Sequence, residues 1–80
     1  MSNEKVQEEV ITLIAQFLGL SPPDLDKHSL LEEDLGLAPI ELNDLLAELA
    51  DHFKISFNSE EVSNLKTIDD IIFLVEDNLI

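Results

Sequence analysis

Glu41, Asp44, Glu48 and Asp51 are spaced three, four and three residues apart, which on a helix places four like charges along one side. Like charges at that spacing cost roughly 0.2 to 0.5 kcal/mol per pair, and a helix tuned for stability alone would interleave lysines. Two readings of this row stay open: a docking stripe for a basic protein surface, or a solvated face in a chain that is acidic throughout. Other residues capable of chemistry are scattered. His28 and His52 are the only histidines and have no cysteine to join them, so both read as surface residues and no zinc site is expected. Asp24/Asp26, Glu32/Glu33/Asp34, Glu60/Glu61 and Asp69/Asp70 lack the Asp-x-Asp-x-Asp-Gly spacing of a calcium loop, so only weak, screening-type cation binding is expected. Ser21, Ser29, Ser56, Ser59 and Ser63 have no histidine beside them, and no glycine-rich phosphate loop is present. The paired acids read as solvated surface rather than a general acid and its base. The chain is not expected to be an enzyme or to hold a cofactor.

Composition narrows the partners. Eighty residues point to one domain, 1–80, near the lower limit at which a single apolar core suffices without disulfides or a metal. A hydrophobic fraction of 45% is ordinary for a globular chain, so acidity alone does not place the sequence in the disordered class. With four lysines, no arginine and 18 acids, the formal charge is −14. Nucleic acid and anionic membranes are therefore poor partners, and a basic protein surface is the natural complement. There is no cysteine, no leader-like basic and apolar segment, and no apolar run long enough to span a bilayer. The expectation is a soluble cytoplasmic monomer.

Helical periodicity supplies the elements that position these residues. Val6, Val10, Ile11, Leu13, Ile14, Phe17 and Leu18 share a face of a first helix over about residues 3–18, closed by Gly19 as a left-handed stop. Ser21-Pro22-Pro23-Asp24 cannot continue it. A long loop, about 19–37, follows, anchored by Leu20, Leu25, Leu30, Leu31, Leu35 and Leu37, with a short helical turn near Pro23–Asp26 entered from Ser21 or Pro22. Gly36 is placed to adopt a conformation that a Cβ would hinder.

A second, central helix runs over about 39–53, opened by Pro39 at its first position. From Ile40 onward, Leu42, Leu45, Leu46, Leu49, Ala50 and Phe53 form its apolar stripe, while Glu41 brings negative charge to the end where the helix dipole favours it. Ile55-Ser56-Phe57 reads as an extended link with Ile55 or Phe57 buried. A short third helix covers about Ser59–Asn64, with Ser59 as its cap and Val62 and Leu65 facing the core. Thr67 caps a fourth helix over about Ile68–Asn78, whose stripe is Ile68, Ile71, Ile72, Val75 and Leu79, widened by Phe73 and Leu74. The fold class is all-α, a small four-helix bundle.

Glu33-Asp34-Leu35-Gly36 before the central helix, Gly19 and the Pro-Pro loop, then Phe53, Phe57, the Asn58–Glu61 turn, Leu65 and Lys66-Thr67-Ile68 keep one unbroken register. In that register the chain resembles the acyl carrier protein family over nearly its whole length. The resemblance implies a bundle of acyl-carrier type and docking on basic partners through acids of the second helix, where Glu41, Asp44 and Asp51 match the family's acidic positions and Glu48 does not. It also implies a serine, esterified with phosphopantetheine, at the start of that helix. Here the family's Asp-Ser-Leu reads Ala38-Pro39-Ile40. Proline has no side-chain nucleophile to attack a donor phosphate.

Two functions follow from different classes. The first is a prosthetic-group-free interaction module, docking basic surfaces such as a lipid or polyketide synthesis enzyme, with room for an apolar ligand between helices two and four. The second is an acyl carrier protein of fatty acid or polyketide biosynthesis. Pro39 separates them.

Overall fold

The helix ends follow from the residues that flank them. In the computed structural model, which describes residues 3–79, α1 spans Asn3–Leu18 and stops at Gly19, whose φ of +74° is left-handed. The Gly19 N–H donates to the Gln16 carbonyl at 3.2 Å and the Leu20 N–H to that of Ala15 at 2.8 Å, the paired closure that satisfies the last carbonyls of a helix. α2 spans Pro39–Phe53 and has Pro39 at its first position as expected. Its end is less expected: Lys54 takes the left-handed conformation, φ 57° and ψ 47°, that glycine adopts freely. α3 covers Ser59–Ser63 and α4 Ile68–Asn78. Thr67 caps α4 through its hydroxyl, which accepts the Asp70 N–H at 3.2 Å. The Asp70 carboxylate in return accepts the N–H groups of Thr67 at 3.0 Å and Lys66 at 2.9 Å.

Two caps differ from the sequence reading. Asn58, not Ser59, caps α3: its side chain accepts the Glu61 N–H at 2.8 Å, and the Glu61 carboxylate accepts the Asn58 N–H at 3.2 Å. Asn58 has a glutamate three residues on and forms a reciprocal pair, whereas Ser59 would face Val62. The turn in the first loop is a 3-10 turn over Pro22–Asp24, one residue earlier than read, and Ser21 at its entry makes no side-chain cap bond.

α1 packs against both α4 and α2. Val6, Val10, Ile14 and Ala15 of α1 meet Leu45, Leu46 and Leu49 of α2 and Ile68, Ile71, Ile72 and Val75 of α4, with Leu25, Leu31 and Leu37 of the first loop closing the core. Truncating one of the leucines or isoleucines among these to alanine costs about 2–5 kcal/mol, a large share of the roughly 5–15 kcal/mol that holds a domain together. Some expected core members lie outside it. Leu20 is 43% exposed, Phe73 62% and Leu79 38%; by the helical repeat Phe73 lies on the side of α4 away from the buried Ile68, Ile71, Ile72 and Val75.

Among the described residues there is no strand, only an isolated antiparallel bridge between Leu30 and Thr67. The Leu31 N–H donates to the Lys66 carbonyl at 2.8 Å and the Asp69 N–H to that of Lys27 at 3.0 Å. These bonds clamp the long first loop to the start of α4.

Candidate functional site

The loop before α2 winds back on itself. The N–H groups of Asp34 and Leu35 donate to the Leu30 carbonyl, at 3.0 and 3.1 Å, Gly36 to Glu32 at 3.0 Å, and Leu37 to Leu31 at 3.0 Å. Gly36 adopts φ +67°, and Leu37 is buried directly after it. With Leu37 anchored in the core, the next four residues, Ala38, Pro39, Ile40 and Glu41, are all exposed, Ile40 at 71%. Ala38 is the cap residue and has no side-chain acceptor, so only half of a reciprocal cap forms: Glu41 Oε1 accepts the Ala38 N–H at 2.9 Å. The helix start is thus presented to solvent, yet Ala38, Pro39 and Ile40 offer no oxygen, sulfur or amine in their side chains.

Glu41, Asp44, Glu48 and Asp51 are all exposed, on the side of α2 away from Leu45, Leu46 and Leu49. Asp51 lies 3.9 Å from Lys54 with both side chains largely in water, a contact of little energetic weight. The histidines stay apart. His28 Nδ1 is 3.9 Å from Asp69 and His52 Nε2 is 3.9 Å from Glu9, and among the described residues no group of three acids or histidines gathers closely enough to hold a metal ion. Ser63 Oγ donates to the Glu60 carbonyl at 2.9 Å, a local turn contact.

A cavity of about 470 Å³ opens between the first half of α2, α3 and the 30–37 loop. Leu30, Leu37, Leu42, Val62 and Leu65 line it together with Pro39, and Glu32, Glu33 and Lys66 supply charge. This differs from the expected space between helices two and four. The inner face of α4 is fully packed, with Ile68, Ile71 and Val75 at 0% exposure, whereas α3 is five residues long with no fully buried member and leaves the flank of α2 partly uncovered. On α2 the cavity residues Pro39, Leu42 and Asn43 lie on the opposite side from the acid row, by the 3.6-residue helical repeat.

Residues 8–74 match the family described as the phosphopantetheine attachment site. The chain is 31% identical over 74 residues to the acyl carrier protein of Phytoplasma australiense, covering 92% of this chain and 97% of that one. It belongs to the acyl carrier protein family. It is 29% identical over 76 residues to the acyl carrier protein of Exiguobacterium sibiricum, covering 95% of this chain and 96% of the other. The fold agrees with a crystal structure of the acyl carrier protein from Thermotoga maritima at a TM-score of 0.78 and 24% identity, over 99% of this chain and 92% of that one. The family match spans the exposed start of α2, the acid row and every wall of the cavity. No helix among the described residues is long and apolar enough to cross a membrane.

Proposed function

We propose that this acyl carrier protein family member is a non-enzymatic interaction module that docks basic partner surfaces through Glu41, Asp44, Glu48 and Asp51 and carries no phosphopantetheine at residue 39. Its partners are enzymes of lipid or polyketide synthesis, met in the cytoplasm by a monomer. The observation that carries the reading is the start of α2. Covalent attachment needs an attacking atom on the protein, and Ala38, Pro39 and Ile40, all exposed there, have none. The resemblance puts Pro39 where the family has its serine, and the residues present do not fit the prosthetic group. Four exposed acids in a row support docking, since complementary charge steers encounter and fixes register.

The comparisons favour a second reading, an acyl carrier of fatty acid or polyketide biosynthesis, more directly than the first: each relative above is named an acyl carrier protein. One experiment divides the two. After incubation with coenzyme A and a broad-specificity phosphopantetheinyl transferase, the intact mass is expected to be unchanged; addition of the group at any serine would establish the carrier and end the first reading. The mass of protein taken from its native cell provides the same test without an added transferase.

A further inference from the structure

Phe73 stands on α4 with an acid at each of the four helical positions that neighbour it: Asp69 and Asp70 one turn before, Glu76 and Asp77 one turn after. We propose that this side of α4 is a second docking surface, for a basic segment of a partner protein that lays an arginine guanidinium over the Phe73 ring among those carboxylates. The surface is on a different helix from the row of Glu41, Asp44, Glu48 and Asp51, and the inference stands whether or not residue 39 carries a group.

The packing of the domain does not ask for this arrangement. Phe73 is 62% exposed, on the side of α4 away from Ile68, Ile71, Ile72 and Val75, so its ring gives the core little. At an exposed position leucine or lysine favours a helix more than phenylalanine does. Asp69 and Asp70 suit the start of α4. Glu76 and Asp77 lie in its last turn, which holds no basic residue and where the helix dipole disfavours negative charge. The ring and the two late acids thus each cost the isolated fold stability, and together they make an aromatic face bordered by carboxylates. A guanidinium meets both parts, since its plane stacks on an aromatic ring and its N–H fork pairs with carboxylates. Charge decides against other occupants: a second copy of this chain brings −14 against −14, and an anionic membrane is repelled in the same way.

The probe is a blocked peptide, acetyl-Leu-Arg-Arg-Leu-Arg-Arg amide, followed by NMR at about 0.15 M NaCl to screen the general attraction of an acidic chain. The Phe73 ring protons and the Asp77 amide are expected to shift along one saturation curve. Read at the Asp77 amide, Phe73→Ala is expected to weaken binding at least about fivefold and Phe73→Leu, which keeps an apolar side chain but no ring, at least about twofold. Asp44→Lys with Glu48→Lys is expected to leave this curve within about twofold, because it alters another helix. The same peptide with glutamine for arginine is expected to leave the ring unmoved, and circular dichroism checks the fold of each variant. Shifts confined to α2, undiminished affinity in folded Phe73→Ala or Phe73→Leu, or an equal response to the glutamine peptide would each overturn the proposal. So would ring shifts that follow protein concentration without peptide, which mark a second copy, or that follow added phosphatidylcholine vesicles, which mark a membrane. Modification at residue 39 enters none of these readouts, so the proposal and the reading of α2 fail separately.

Discussion

The Glu41 carboxylate accepts the Ala38 backbone N–H at 2.9 Å, and Ala38 returns nothing. Ala38→Asp completes the reciprocal cap with the N–H at the third helical position and is expected to raise stability by about 1 kcal/mol. For a chain of this size that is a rise of roughly 4–8 °C in Tm. Calorimetry checks it, and an unchanged or lower Tm would show that one more acid at this helix start outweighs the bond.

Because Glu41 holds the helix start as well as facing solvent, reversing it mixes fold with docking. Asp44 and Glu48 are exposed and take no part in capping α2, so Asp44→Lys with Glu48→Lys is the cleaner test. The double reversal is expected to weaken binding to any partner recovered by pull-down, most strongly at low salt, with circular dichroism unchanged. Undiminished binding would leave the row as a solvated face.

Charge also bears on stability. The molecule measures 30 × 27 × 19 Å along its principal axes, so at 0.01 M salt, where the Debye length is about 30 Å, every carboxylate acts on every other, and at 0.1 M, with about 10 Å, only neighbours do. Tm is expected to climb over that interval as self-repulsion is screened. A melting temperature that stays flat or falls with added NaCl contradicts this.

Lys54 closes α2 in a conformation that costs a residue with a Cβ about 1 kcal/mol or more. Lys54→Gly removes that strain but loosens the unfolded chain and deletes the exposed contact to Asp51. A net gain of roughly 0.5–1 kcal/mol in urea denaturation is the expected balance, and a loss would mean that Lys54 contributes more than its backbone.

Restoring the family's residues tests the start of α2 directly. Ala38→Asp with Pro39→Ser supplies both the cap and a hydroxyl at an exposed position. The double variant is expected to fold and to gain the mass of phosphopantetheine under conditions where the wild type does not. A folded variant that stays unmodified would show that the surface recognised by the transferase has diverged as well.

Helix bounds, Gly19, Gly36 and Thr67 were legible because their signals are local: an apolar period, a left-handed stop, a cap within four residues. The exposure of Leu20, Phe73 and Leu79 was not, because a period shows which residues are apolar but not which side of a small bundle has a neighbour to cover it. The acid row could be found by spacing alone; its separation from the cavity could not. That cavity depends on Leu30 pairing with Thr67 and Leu31 with Lys66 across a bridge between distant segments, for which no short-range pattern exists. Pro39 was readable as a missing nucleophile only through the family's register, and the structure adds that its surroundings are open to solvent.

The placement of acids and cavity on opposite sides of α2 has a thermodynamic consequence. A partner holding the acids leaves the cavity mouth free, so a ternary complex meets no steric barrier. Cooperativity between the two occupants then comes through displacement of α2 or α3 or, for a charged occupant at low salt, through the field that spans the molecule, since neither occupant touches the other. A partner that grips only the acids of an unmoved helix has equal affinity for the empty protein and for one filled by an uncharged ligand.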